Sequence, residues 1–157
     1  NDSKIVLLAG PVAAYAEGRF VGSGDVATIA GGERFIVGFG IDSSLRASRE
    51  LVEKTDNVQG GNRVVDLTYR LGIDNFGEAA AKVRLLDRLP KARESEIKLT
   101  LMNSEGSAEP EKKTGILRWD VTVPAAGPGN KALALEYKFR LEHDKQLMIS
   151  GMPVAAK

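Results

Sequence analysis

From Val65 to Ile73 every second residue is large and apolar: Val65, Leu67, Tyr69, Leu71 and Ile73, with Asp66, Thr68, Arg70 and Gly72 between them. Successive side chains of an extended chain point to opposite sides, so a period of two marks a strand with one buried face. The alternation returns at Leu133, Leu135, Tyr137, Phe139 and Leu141, leaving Ala134, Glu136, Lys138, Arg140 and Glu142 toward water. Ile97, Leu99 and Leu101, and then Leu117, Trp119, Val121 and Val123, supply two more apolar rows. The expected class is all-β: an antiparallel β-sandwich, immunoglobulin-like or related, formed as a single domain over 1–157.

Strands are expected near 4–9, 12–16, 19–22, 34–39, 45–54, 63–74, 80–89, 95–102, 115–123 and 132–142. This spacing, with a turn after each short segment, suits a sandwich or barrel. Reversals are placed at Glu17-Gly18, Gly31-Gly32, Gly60-Gly61-Asn62, Asp74-Asn75-Phe76-Gly77 and the run Ala125 to Asn130, since Gly and Asn tolerate the positive φ of tight turns. Residues 45–54 carry helix-favouring side chains but lead through a glycine loop into the strongest strand, so a strand is expected there too. Asn103 to Lys113 reads as an exposed, mobile loop.

A chain of 157 residues near this domain size buries roughly 70% of the surface its unfolded form exposes. The 22 Lys and Arg against 21 Asp and Glu leave a formal charge of +1 with no long basic run, which disfavours nucleic acid as a partner. With no cysteine there is no disulfide framework and no thiol chemistry. The apolar run Lys4 to Ala9 is broken by Gly10-Pro11. It falls short of the ~20 residues of a membrane span and is not read as an export leader, so no membrane insertion is expected. A chain opening at Asn1 is expected to be a processed protein or a piece of a longer one.

The sequence holds no His-Glu-x-x-His, no Gly-x-x-x-x-Gly-Lys and no Gly-x-Ser-x-Gly, so zinc, nucleotide and serine-hydrolase readings fall away, and no metal or cofactor is expected. Asp56 to Asn62 departs from EF-hand spacing and reads as a hairpin loop. Gly22-Ser23-Gly24-Asp25 has no helix after it to present amides to a phosphate. His143, the one imidazole, is expected at the surface. Structural work is assigned to Asp42, organising a turn after Gly38 and Gly40. Asp87 leans coreward in register with Val83, Leu85 and Leu89, and should accept bonds from the turn beyond Pro90 or pair with a basic side chain. Arg88 and Pro90 belong to the same strand end, and Trp119 should anchor the core, an exposed sugar-stacking indole being the alternative.

Gly10-Pro11-Val12, Tyr15, Gly18 to Gly22, Gly32 to Phe35 and Gly38 to Asp42, followed by Tyr69 to Asn75, Leu86 to Pro90, Glu96 to Lys98 and Gly115 to Trp119, resemble in order the C-terminal domain of unknown function of mucoidy-inhibitor-A-like bacterial proteins. The resemblance implies a C-terminal piece of a longer polypeptide whose remainder, an N-terminal domain and a helical, coiled-coil-like segment, would be its first partner. Homo-oligomers and envelope proteins are further partners, and the cell envelope or periplasm is the implied compartment. The sequence favours a noncatalytic interaction or assembly module over an enzyme. The rival is a carbohydrate-binding or carbohydrate-active domain, motivated by the polysaccharide phenotype in that family name and by Trp119, Tyr15, Tyr69 and Tyr137.

Overall fold

The computed structural model describes residues 1–16, 18–92, 96–106, 110–111, 113–125 and 132–149. The chain divides into two compact units, Asn1–Ser43 and Ser44–Lys157. The described residues hold eight strands and no helix. All the pairing is antiparallel.

In the first unit, β1 (Gly10–Ala16) and β2 (Arg19–Val26) form a hairpin. Gly18 takes a φ of 78° in its turn, a conformation that costs a residue without a Cβ nothing. The Asn1 side-chain amide donates to the carbonyls of Ile5 and Ala30 at 3.0 and 3.1 Å, pinning the chain start to the segment after β2. The strands expected at 4–9 and 34–39 do not form. The first is reduced to a single bridge, Leu7 to Ile29, and the second has no ladder. A strand needs a partner edge, and the apolar residues here have no apolar face opposite them: Ile36 is 98% exposed. Instead the backbone at Gly40 lies against β2, so close that a Cβ on Gly40 would fall on the Val21 carbonyl oxygen.

The second unit is an antiparallel β-sandwich. One sheet has the order β3-β4-β8-β6, and the other pairs β5 with β7. The ranges are β3 Leu45–Gln59, β4 Asn62–Asn75, β5 Ala81–Arg88, β6 Lys98–Ser104, β7 Ile116–Val123 and β8 Leu133–Asp144. Between β3 and β4, Gly60 and Gly61 both have positive φ, 58° and 90°, and join the facing pair Gln59 and Asn62. Such a two-residue turn matches the twist of the strands it connects. The β4–β5 reversal is held by Asn75, 4% exposed: its amide donates to the Ala79 and Val123 carbonyls and its carbonyl accepts from the Gly77 amide.

Register puts Tyr69 opposite both Leu51 and Tyr137, and Leu67 opposite Phe139. These inward rows meet Leu117 and Trp119 of the second sheet in one core that also takes in Leu89 and Leu141. Leu67 and Phe139 are each 2% exposed. On the outward faces, directly opposed charges pair: Asp66 with Arg140, Arg70 with Glu136, and Arg84 with Asp120. Cross-strand pairs of this kind stabilise a sheet modestly. They also neutralise the solvated faces. Part of the loop expected from Asn103 to Lys113, the Gly-rich breaker from Ala126 to Asn130 and the tail from Ser150 lie outside the described residues.

Candidate functional site

The polar centre of the sandwich forms where the last inward position of β5 meets the four-stranded sheet. Asp87 shares its face with Val83 and Leu85, and stands opposite Leu117. Its carboxylate is surrounded by donors: Arg49 Nε at 2.8 Å, the Tyr137 hydroxyl at 2.7 Å and the Arg88 backbone N–H at 2.7 Å. Arg49 Nη2 also donates to the Tyr137 hydroxyl oxygen at 2.9 Å, closing a triangle. Below it, the Arg49 guanidinium lies 3.7 Å from the centre of the Tyr69 ring, which stacks on Tyr137 at 5.5 Å. Such a cation over an aromatic face contributes about 0.5–2 kcal/mol.

Three strands, β3, β5 and β8, thus bring one group each to a point where the two sheets meet. Of the two expectations for Asp87, the basic partner is present as Arg49, and the backbone donor is Arg88 rather than an amide beyond Pro90. Arg49 and Tyr137 carried a signal that the sequence analysis did not use: each shares the inward parity of its strand, with Leu51 and with Phe139.

Burial, then the bond to Asp87, pushes the Tyr137 phenol well above its ordinary value, so the hydroxyl stays protonated and serves as a donor. With Tyr137 neutral and Asp87 engaged by three donors, the cluster links the two sheets through hydrogen bonds. A raised phenol contributes stability that is fully present below the unfolded value near 10 and is lost as pH climbs through and beyond it. Alkaline unfolding followed by circular dichroism should therefore show stability falling above about pH 10, and Tyr137→Phe should remove most of that slope.

Asp87→Ala leaves a buried hydroxyl without its acceptor. Arg49, whose side chain is 44% exposed, can turn to water. The expected cost is about 1–3 kcal/mol. In a double-mutant cycle with Tyr137→Phe, the two losses should fall short of additivity by roughly 1–2 kcal/mol, measured by urea denaturation.

The remaining candidates separate. Trp119 is 1% exposed, and its indole N–H donates to the Glu105 carbonyl at 2.7 Å. Arg88 and Pro90 are exposed in the second unit, and Asp42 is exposed in the first. His143, expected at the surface, is instead 4% exposed, with Nδ1–H donating to the Asp144 carbonyl at 2.7 Å. Its parity with Leu141 carries it inward. Tyr69 and Tyr137 are buried in the core, so of the four aromatic residues put forward for sugar recognition only Tyr15 is exposed, edge-on to Phe20 at 71°. Among the described residues no cluster of His, Asp and Glu is arranged to hold a metal ion, and no helix is long and apolar enough to cross a membrane.

The first unit differs in kind. Of fifteen strongly exposed large apolar side chains among the described residues, ten lie between Ile5 and Ile41, including Leu8, Phe20, Phe39 and Ile41 itself.

Residues 4–145 match the model of a family described as Domain of unknown function (DUF4139), a span that includes strands of both units. No curated protein and no solved structure matches the chain.

Proposed function

The chain belongs to the family of domains of unknown function DUF4139, and from that premise we propose that it is a noncatalytic interaction or assembly module. The observation that carries this reading is the apolar surface of the first unit, where ten large side chains lie open to water in 43 residues. Exposed apolar area on this scale marks surfaces that gain from being covered, at ~25 cal/mol per Å2. The second unit supports it by contrast, because its outward faces are zipped by ion pairs and its polar centre is spent on holding two sheets together.

The proposed partner is the remainder of its own polypeptide. The resemblance to mucoidy-inhibitor-A-like proteins implies a helical, coiled-coil-like segment, and a helix with one apolar stripe is a natural cover for exposed aliphatic and aromatic side chains. The setting proposed with it is the bacterial envelope.

Affinity purification of the full-length parent from its own cells tests the reading, with three forms compared: intact, lacking this domain, and carrying Phe20→Ser with Phe39→Ser. Loss of the same reproducible partner, or of protection in the helical segment, from both altered forms is the expected result. Unchanged partners would defeat it. Hydrolysis of an exopolysaccharide by the purified chain would defeat its noncatalytic half.

A further inference from the structure

The first half of β3 is an open edge with an unmatched pair of charges on it. β3 ends the order of the four-stranded sheet, so among the described residues its backbone is laddered on one side only, to β4. From Leu45 to Leu51 that register is unbroken, and the irregularity comes after it, between Leu51 and Glu53. This stretch therefore presents a regular row of N–H and C=O groups, the kind of edge that templates another strand. Leu45, Ala47, Arg49 and Leu51 share the inward parity, while Arg46, Ser48 and Glu50 share the outward one.

On the same outward face Asp66 is matched by Arg140 and Arg70 by Glu136, but Arg46 and Glu50 are not matched. Glu50 stands opposite Arg70, which is taken up by Glu136 at 2.8 Å, and Arg46 lies over the Phe76 ring at 5.4 Å. Neither is in an ion pair among the described residues. Between them the strand is small. Ala47 and Ser48 are both exposed, and the Ser48 hydroxyl leans toward β4, 2.5 Å from where a Cβ on Gly72 would be. That leaves the outer side of the strand clear for another backbone to approach.

We propose that this edge pairs with the same edge of a second copy of the chain, antiparallel about a two-fold axis at Ser48, so that two β3-β4-β8-β6 sheets become one continuous sheet. In that register Arg46 faces Glu50 of the second copy, and by symmetry Glu50 faces the second Arg46. Both unmatched charges are answered. On the inward side Leu45 faces Leu51 and Ala47 faces Arg49, whose guanidinium is already held by Asp87. Every facing pair has one parity, as an antiparallel ladder requires. Centring the axis on Arg46, Arg49 or Glu50 instead would set like charges face to face, which is unfavourable. The other free edges suit a second copy less well. β5 turns Lys82, Arg84 and Arg88 outward, β6 carries Lys98 and no carboxylate, and on β7 Arg118 and Asp120 are already paired with each other, Asp120 also with Arg84. The inference is independent of the apolar surface on the first unit.

Sedimentation velocity of the full chain should show a reversible dimer with Kd on the order of 10–100 µM, the weak class expected of a short ladder. Glu50→Lys should weaken it roughly tenfold or more, and Arg46→Glu likewise, because each sets like charges face to face at both symmetric positions. Mixing the two variants, each checked for strand content by circular dichroism, should restore a dimer, since each then supplies the charge that the other lacks. The chain has no cysteine, so Ser48→Cys places a single thiol at the axis. With copper phenanthroline as oxidant it should link two copies through a disulfide, whereas Lys82→Cys on β5 should not. Phe20→Ser with Phe39→Ser should leave the dimer intact, which keeps this result apart from the fate of the first-unit surface. A monomer at every concentration, no recovery on mixing the two folded variants, equal cross-linking at positions 48 and 82, or loss of the dimer in the Phe20→Ser, Phe39→Ser form would each overturn the proposal.

Discussion

Trp119→Ala should destabilise the sandwich by about 3–5 kcal/mol, the range for removing a fully buried large aromatic side chain. Trp119 is 1% exposed, lies 6.0 Å from Tyr137 ring to ring, and stands opposite Leu85 on the two-stranded sheet. Its loss opens a void where that sheet meets the aromatic row of β8. It also leaves the Glu105 carbonyl without the indole donor that ties the end of β6 to β7. For a unit of this size the melting temperature should drop by more than about 10 °C, read by differential scanning calorimetry. Trp119→Phe keeps most of the volume while losing the N–H, and should cost no more than about 2 kcal/mol.

Gly40→Ala is the second large effect, and it falls on the first unit. Gly40 has a φ of +87°, and an added methyl group would meet backbone, the carbonyl of Val21, rather than a side chain that can turn aside. The left-handed backbone alone costs roughly 1–2 kcal/mol. The collision adds the cost of separating the 33–42 segment from β2, so a total of about 3 kcal/mol or more is expected. Hydrogen exchange should show β1 and β2 amides losing protection. Trp119, the only tryptophan, lies in the other unit and should keep its buried emission. Retained protection in the hairpin would mean that the close approach of Gly40 to β2 contributes little to its order.

Much of the sandwich was legible because its central strands are dry on one face only. β4 and β8 each pair on both edges, so alternation runs their full length, and Leu67 and Phe139 fall where the pattern puts them. The same rule was underused at His143, whose place two residues beyond Leu141 already predicted burial. It failed for 34–39, since the apolar character of Phe35, Ile36 and Phe39 says nothing about whether a partner edge exists. β3 was hard to read for a different reason: one extra residue after Leu51 reverses its inward parity, so Arg49 and Lys54 face the same way although they differ by an odd number of positions. The Asp87 cluster was half visible. Asp87 announced itself as a carboxylate on an apolar row, while its partners Arg49 and Tyr137 are 38 and 50 residues away in sequence, and only the stacking of the sheets brings them together.

The placement of β8 between β4 and β6 has a consequence for biogenesis. A ribosome releases the chain from its amino end, so β3 through β7 emerge before the strand that separates β4 from β6 exists. Until residues 133–144 are free of the exit tunnel, one edge of β4 stays open and Trp119 lacks Tyr137. The four-stranded sheet is therefore completed only once β8 has emerged, when that strand slots between β4 and β6 and joins them.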